Sequence, residues 1–320
     1  MNIGNAVIWR IFAKLLVVVF TSTAFAFSCP LASAQGRDSY ESLTEENLYD
    51  VLENQYGQGG YRGYAKFSIE VDAAGSPLKI YFQDSKFKFH ADFLRTLPAY
   101  SAMSASDIDT IALRSSGRRL LLGSLLFLEN ESGNFSTQSP LHIELPSHDP
   151  LAAAYVRNIF DYLNPRIAAI ASSVAYLPAP EQKDYVIGHR RDFEAAGIDI
   201  AEHNGANREV CYSGGWSAGY VKRIRAADLP AALAAGEINR DDILIMDEAP
   251  RDLPPYAALV VSSPSSPSSH AALLAEMSGS PFLYIPGAFD SVEWTERAAR
   301  RAPLLLKVVN SALTSCSYHL

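Results

Sequence analysis

Ser-Pro-Ser-Ser-His-Ala-Ala-Leu-Leu-Ala-Glu-Met-Ser-Gly-Ser-Pro-Phe-Leu-Tyr-Ile, residues 266–285, is the segment that decides the fold of the second half of the chain. Either Ser268 or Ser269 can cap a helix that starts at His270, because a serine hydroxyl accepts hydrogen bonds from the first backbone N–H groups of a helix. Gly-Ser-Pro at 279–281 ends that helix before the next apolar run. The segment therefore predicts a loop, a helix and a short buried strand.

The predicted position of His270 suits a histidine that carries a phosphoryl group. A phosphate on its ring would face the unpaired N–H groups and the positive end of the helix dipole. A neutral imidazole nitrogen is also a nucleophile near neutral pH. The alternative is a surface or capping histidine without any chemical role.

Short apolar runs around this segment predict a compact α/β domain over residues 205–300. The predicted strands are 220–224, 243–246, 259–261 and 282–285, and the predicted helices are 230–235 and 270–277. The serine-rich stretch 262–269 lies between a predicted strand and a predicted helix. We therefore interpret it as a loop inside the domain and not as a linker.

Residues 1–34 have the features of a secretory signal peptide. Basic residues precede an apolar run at 15–20, and Ala-Ser-Ala at 32–34 comes before Gln35. We predict a secreted or periplasmic protein that begins at Gln35 and has no stable membrane insertion after cleavage. An uncleaved anchor and a lipid on Cys29 are the alternatives.

Charge and cysteine content exclude several classes of function. Loss of the signal peptide, with Arg10 and Lys14, changes the formal net charge from −8 to −10. Such an acidic chain is an unfavourable partner for nucleic acid. Cys211 and Cys316 remain and either pair or stay free. No spacing of cysteine and histidine matches a zinc site, so we expect no metal.

The first half of the chain predicts an α+β domain. Residues 35–62 are polar and are predicted to be a lead-in to this domain, which spans 63–175 and contains an antiparallel sheet. Alternating apolar residues at 67–71 and 78–82 flank Ala-Gly-Ser-Pro at 74–77, a pattern that predicts a hairpin.

Residues 176–204 are predicted to be a connector, and 301–320 a C-terminal tail, for which truncation is one of the open interpretations. Four polar residues of the first half and the connector could suggest a site: His90, Asp92, His189 and His203. His90 and Asp92 do not share a helix face, and the spacing of His189 and His203 matches no metal site. We therefore predict that all four are solvated.

Four motifs between residues 212 and 288 resemble, in order, those of a known domain. They are Gly-Trp-Ser-Ala-Gly-Tyr-Val-Lys-Arg at 215–223, Asp-Asp-Ile-Leu-Ile-Met at 241–246, Ala-Ala-Leu-Val-Val-Ser at 257–262, and Ser-His-Ala-Ala-Leu-Leu-Ala at 269–275 with Gly-Ser-Pro-Phe at 279–282. The order is similar to that of the mobile phosphohistidine (swivelling) domain of the phosphoenolpyruvate-utilising enzymes, the family of pyruvate phosphate dikinase and phosphoenolpyruvate synthase. Ser-Ser at 265–266 departs from the family's usual Gly-Gly, while Ser-Pro-Ser-Ser-His at 266–270 resembles a branch with Thr-Pro-x-Ser-His. Residues 66–97 resemble an accessory domain found ahead of the swivelling domain in secreted proteins of this kind.

The resemblance implies a role for each residue of the loop. His270 would be the phosphoryl carrier, the hydroxyls of Ser268 and Ser269 would hold phosphate oxygens, and Arg251 is the nearest cation in sequence. In the family, ATP and Mg²⁺ bind to an ATP-grasp domain. This sequence has no Gly-rich nucleotide loop followed by lysine and no carboxylate set for magnesium, so we expect no cofactor in this chain and an ATP-grasp domain or protein as its partner.

Three interpretations of the function remain open. The chain is a phosphotransferase-type carrier whose partner is another chain, a truncated or degenerate relative of a longer enzyme, or a non-catalytic extracytoplasmic module that binds a small carboxylate or phosphate. The scarcity of ATP outside the cytoplasm favours the second and third interpretations over an active enzyme.

A rival motif predicts a serine hydrolase. Gly-Trp-Ser-Ala-Gly at 215–219 matches Gly-x-Ser-x-Gly, and Asp247 and His270 follow Ser217 in the order found in α/β-hydrolases. A nucleophile elbow needs a helix directly after the serine, whereas residues 220–224 alternate like a strand. We therefore predict a turn leading into a strand here, and no nucleophile at Ser217.

Overall fold

The computed structural model describes residues 37–58, 61–128, 139–202, 208–250, 256–301, 303–311 and 314–319. The predictions for the signal peptide, Cys29, Arg251 and His203 lie outside the described residues. Residues 36–320 form one compact unit. Its fold is mixed α/β, with two sheets and several helices. The helices of the described residues include none with the length and apolar composition needed to cross a membrane.

The first sheet is built from the first half of the chain, in the order β1-β4-β3-β5-β6-β7, with β2 paired to β3. Its strands are β1 (Ser39–Tyr40), β2 (Leu52–Gln58), β3 (Tyr61–Val71), β4 (Pro77–Gln83), β5 (Leu120–Leu128), β6 (Ser139–Glu144) and β7 (Ala171–Leu177). The accompanying helices are α1 (Leu48–Val51), α2 (His90–Leu94), α3 (Ala105–Leu113), α4 (Ala153–Ile167), α5 (Lys183–Gly188) and α6 (Arg190–Ala195). The pairs are antiparallel except for β6 with β7, and the predicted β3–β4 hairpin forms with Phe67 opposite Phe82.

The second sheet has the order β14-β13-β9-β10-β11-β12-β8. Its strands are β8 (Val210–Ser213), β9 (Gly215–Arg223), β10 (Asp242–Met246), β11 (Ala258–Val261), β12 (Phe282–Tyr284), β13 (Pro303–Ser311) and β14 (Thr314–His319), and its helices are α7 (Leu229–Ala234), α8 (His270–Ser278) and α9 (Val292–Arg300). Strands β9 to β12 are parallel, whereas β8, β13 and β14 pair antiparallel. The strands and helices predicted for 220–285 therefore all form, close to their predicted ends except for the start of β9.

Two segments that we expected to lie outside a domain pack in the core of the first sheet. The lead-in contains β1, α1 and most of β2, and Leu48 and Val51 are buried there. The connector contains α5 and α6, which bury Val186 and Phe193 in the same core. A short acidic helix is predicted from the sequence around 44–54, where α1 forms. Apolar residues scattered among charged ones give no strong periodicity in α5 and α6, which the sequence pattern does not predict.

The C-terminal tail and the start of the second sheet also differ from expectation. Residues 303–311 form β13, which pairs with β9 and continues into β14. No separate turn precedes β9, which begins at Gly215. Both differences have the same cause: β13 supplies backbone partners along the whole first half of β9, from Gly215 to Tyr220.

Helix α8 lies between the two sheets. Ala271, Ala272 and Ala275 pack against the second sheet. Leu273 packs against Tyr61, Tyr64, Leu126 and Leu177 of the first sheet. The helix that carries His270 is therefore one of the elements through which the two halves of the molecule meet, and β2 also contacts β8, β13 and β14.

Candidate functional site

The loop before α8 lies at the carboxyl end of the parallel strand β11. Ser269 is the helix N-cap, and its hydroxyl accepts a hydrogen bond of 3.2 Å from the Ala272 N–H. Gly279 ends the helix in the left-handed conformation, with φ of 64°. The cap, helix and stop that the sequence predicts are confirmed, and His270 is the exposed first residue of the helix.

Hydrogen bonds fix the conformation of this loop. The Tyr212 hydroxyl donates to the Ser265 carbonyl and accepts from the Ser265 N–H, both at 2.7 Å. The Ser265 hydroxyl donates to Ser269 at 2.9 Å, and the hydroxyls of Ser266 and Ser268 lie 2.8 Å apart. Ser265 and Ser266 are buried. The low-complexity run is therefore an ordered loop, as its position in the sequence predicts.

A carboxyl group of the first sheet binds the same loop. The Ser268 hydroxyl donates to Glu144 Oε2 at 3.0 Å. Glu144 ends β6 and is only 5% exposed. Burial raises its pKa to about 7, although hydrogen bonds from Ser266 and Ser268 act in the opposite direction. Both hydroxyls that we expected to hold phosphate oxygens are thus engaged by protein groups here, that of Ser268 by a carboxyl.

An aromatic ring from the first half of the chain covers one side of His270. The ring centroids of Phe89 and His270 are 5.2 Å apart, with an interplanar angle of 47°. Phe89 lies between Lys88 and His90 in the segment that joins β4 to α2. The imidazole therefore lies next to a basic segment that is distant in sequence.

Polar side chains cross the face of the first sheet that contacts α8. Lys66 of β3 pairs with Ser124 of β5, and Ser124 pairs with Glu144 of β6. All three are buried, and β5 between the other two strands is otherwise apolar. A buried polar row at a contact between two sheets is the kind of place where functional sites occur.

Glu53 of β2 completes this row. Its carboxylate forms a close ion pair with the Lys66 ammonium, and it accepts hydrogen bonds of 2.9 Å from both Lys88 and the Tyr64 hydroxyl. The Lys66 ammonium also lies 4.7 Å from the centroid of the Tyr64 ring. Burial lowers the pKa of Lys66, while Glu53 raises it. Two ammonium groups thus share one buried carboxylate.

The histidines of this region are held in the neutral form. Burial, with a smaller contribution from the charge of Lys66, lowers the pKa of His90 to about 3. His90 is half-buried and its Nδ1 lies 3.5 Å from the Ser68 hydroxyl, so the prediction that it is solvated is wrong. Burial likewise lowers the pKa of His142 to about 4, and its Nδ1 lies 2.8 Å from the Tyr61 hydroxyl.

Two other residues that we expected to be solvated are exposed. Asp92 lies on the outer side of α2. The exposed His189 follows α5, where its Nδ1 lies 2.8 Å from the carbonyl oxygen of Tyr185. Neither residue is near the buried polar row in any described contact.

The residues of the hydrolase motif do not meet. Ser217 lies within β9, before the point at which Tyr220 pairs with Asp242, whereas Asp247 follows the far end of β10. Roughly 25 Å of strand separates the two positions, at the usual rise per residue. Asp247 instead accepts a hydrogen bond from the Ala226 N–H and lies 3.5 Å from Arg225.

Glu53, Lys66 and Glu144 are not among the candidate residues that the sequence predicts. The sequence contains a weak signal that Lys66 is buried. Lys66 shares one face of β3 with Tyr64 and Ser68, and the other face of the strand is apolar, so the strand is buried on both sides. A charged residue on a strand buried on both sides requires a partner or a ligand. In the described part of the chain, no three histidine, cysteine or acidic side chains are placed to hold a metal ion.

The geometry provides a histidine at a capped helix N-terminus, flanked by a carboxyl group on one side and by a basic, partly buried cluster on the other. Such an arrangement can hold an anion and place it near an imidazole nucleophile. Comparison of the chain with protein-family models, with curated proteins and with solved structures finds no match.

Proposed function

We propose that the chain is an exported, phosphohistidine-type relative of the phosphoenolpyruvate-utilising enzymes, in which residues 205–300 form a swivelling-type domain and His270 is the phosphoryl carrier. The observation that carries the proposal is the exposed His270 at the start of α8, capped by Ser269. The position of its loop at the carboxyl end of parallel strands supports it, because ligands of open α/β sheets bind there.

The chemistry requires few groups. A neutral ring nitrogen of His270 attacks the phosphorus atom of a donor, a P–N bond forms, and the P–O bond to the donor breaks. The negative charge of the phosphoryl group then faces the first N–H groups of α8 and the positive end of its dipole. These interactions stabilise the phosphorylated form relative to a phosphohistidine on an exposed loop.

The contact between Ser268 and Glu144 opposes this step. An ionised Glu144 would repel a phosphate bound to the same loop, and Ser268 cannot both donate to Glu144 and donate to the phosphate. Phosphorylation therefore requires either a protonated Glu144 or movement of the loop away from β6. The same contact favours the second candidate function, a non-catalytic binding module in which the loop stays bound to the first sheet.

ATP and Mg²⁺ would bind to an ATP-grasp domain or protein that acts as the phosphoryl donor. The described residues do not fit a metal centre of their own. No step of the proposal at His270 uses a metal held by this chain. A secreted or periplasmic location is supported by the disulfide bond at Cys211, because disulfides persist in oxidising compartments.

Labelling with radioactive phosphate tests the proposal. Phosphoenolpyruvate, or ATP together with a supplied ATP-grasp partner, should give an acid-labile, base-stable phosphate on the wild-type chain. His270→Ala should remove the label, whereas His189→Ala, which changes another exposed histidine, should keep it. Label that persists in His270→Ala would refute the carrier role, and the absence of label in the wild type would favour the binding module.

A further inference from the structure

Lys66 has hydrogen-bonding capacity that its surroundings leave unused. The residue is 2% exposed, yet within the described residues its ammonium donates only to Glu53. An ammonium group carries three N–H donors. A buried ammonium that lacks acceptors loses free energy relative to water, so the two remaining donors call for oxygen atoms.

Direct ionic contacts in this cluster are unequal in number, because two ammonium groups meet one carboxylate. Lys66 and Lys88 both contact the single carboxylate of Glu53. The exposed Glu276 of α8 acts on both lysines through its charge, but among the described ion pairs it contacts neither. The half-buried His90 beside them is neutral at physiological pH because burial lowers its pKa. One positive charge is therefore not matched by a carboxylate in direct contact.

Gln83 has a side-chain oxygen that accepts no hydrogen bond within the described residues. Its amide Nε2 donates to the Phe87 carbonyl at 3.0 Å, but its buried Oε1 has no hydrogen-bond partner in the described structure. Since Phe67 pairs with Phe82, the same register sets Gln83 opposite Lys66 on the same face of the sheet. A ligand at this place would need acceptor oxygens for Lys66 and a hydroxyl donor for Gln83.

A phosphate group meets both needs. At neutral pH inorganic phosphate is largely a mixture of singly and doubly charged forms, which offer acceptor oxygens and at least one P–OH donor. Sulfate has the same shape and charge but no hydroxyl, and an ionised carboxylate has none either. The chemistry of the cluster therefore favours a protonated phosphate over other oxyanions.

We propose that Lys66, Lys88 and Gln83 form a subsite for protonated inorganic phosphate beside His270. Lys88 is the member that reaches solvent, with 44% of its side chain exposed, and it marks the side from which the anion arrives. Phe89, the next residue, contacts the His270 ring, so the segment that carries Lys88 also reaches the imidazole. The subsite does not depend on phosphorylation of His270.

Thermal-shift and calorimetric titrations of the full chain test the subsite with three probes: inorganic phosphate, a phosphate monoester and sulfate. Phosphate should raise the Tm and bind with measurable heat, and sulfate should do so much more weakly. A phosphate monoester has a second pKa of about 6 and largely lacks a P–OH donor at neutral pH, so it should bind more weakly than inorganic phosphate. A monoester that binds at least as tightly as inorganic phosphate would contradict the role of the P–OH group.

Matched variants connect the binding to the named residues. Lys66→Met should abolish phosphate binding, and the half-exposed Lys88→Met, which is expected to fold normally, should weaken it about tenfold. Lys79→Met, which removes an exposed lysine paired with Glu41, should bind as the wild type does. His270→Ala should also retain binding, which separates this subsite from the carrier role. Unchanged affinity in Lys88→Met, equal affinity for sulfate, or no response of the wild type to phosphate would each overturn the proposal.

Discussion

Glu144 and Ser268 lie 124 residues apart in the sequence and are joined by one hydrogen bond of 3.0 Å. No recognisable sequence motif contains both residues. Their contact places an acid with a pKa of about 7 against the loop that precedes His270. At the scale of single residues, a buried carboxyl group with a raised pKa is thus hydrogen-bonded to the loop of the candidate site.

Glu144→Gln should change how stability depends on pH. An acid whose pKa is raised from 4.5 to about 7 on folding stabilises the native state fully below 4.5, and this contribution is lost as the pH rises through 7. The loss amounts to at most about 3 kcal/mol by the standard conversion of pKa shifts. Since glutamine does not ionise, Glu144→Gln should gain stability relative to the wild type between pH 5 and pH 8, as read from urea unfolding.

The effect of Glu144→Gln is the difference between the free energies of unfolding of the variant and the wild type at each pH. The pKa values of His90 and His142 are lowered to about 3 and 4, so these residues make the wild type more stable as the pH rises toward 6.5. Both contributions are common to the wild type and the variant and cancel. Asp92→Asn, at an exposed acid, should show no such change. Parallel pH profiles for wild type and Glu144→Gln would contradict the prediction.

At the scale of elements, α8 has two functional faces. The alanines of one face allow a close approach to the second sheet, whereas Leu273 and His270 face the first half of the molecule. The Ser269 cap fixes where this helix starts. It therefore fixes which residue occupies the N-terminal position beside Phe89.

Ser269→Ala should destabilise the protein by about 1 kcal/mol, because the Ala272 N–H loses its side-chain acceptor. Ser269→Asp should restore most of this loss, since aspartate is an equally good cap. Ser278→Ala, at the other end of α8, serves as the control and should cost less. Urea unfolding at a fixed pH measures all three, and an unaffected Ser269→Ala would show that the cap is not used.

At the scale of the whole molecule, the second sheet closes through residues far apart in the chain. Cys211 of β8 is disulfide-bonded. Strand β14 includes Cys316 and contacts β8, although the two strands belong to opposite ends of the sheet order. We therefore expect Cys316 to be the partner of Cys211.

Peptide mapping without reduction should find Cys211 and Cys316 in one cross-linked peptide. In exported protein, the same mass spectra should show Gln35 as the first residue. Because this bond closes a loop of roughly one hundred residues, its loss in Cys211→Ser should cost about 5 kcal/mol on the chain-entropy relation. A free thiol at Cys316 in the folded protein would contradict the pairing.

The sequence by itself determined the features that depend on neighbouring residues. Strands β9 to β12, helix α8 with its Ser269 cap and Gly279 stop, and the β3–β4 hairpin all follow from local periodicity and turn chemistry. These signals need only a few consecutive residues. The position of His270 at a helix N-terminus was therefore predictable.

Only the tertiary structure decided which distant residues share the site. Strand register places Lys66, Ser124 and Glu144 in one row, and sheet packing brings Ser268 to Glu144 and Phe89 to His270. It also separates Ser217 from Asp247, although their order in the sequence suggested a triad. The physical reason is that a buried charge is tolerated only when partners from other strands compensate it, and those partners are chosen by pairing and packing over the whole chain, which local sequence does not encode.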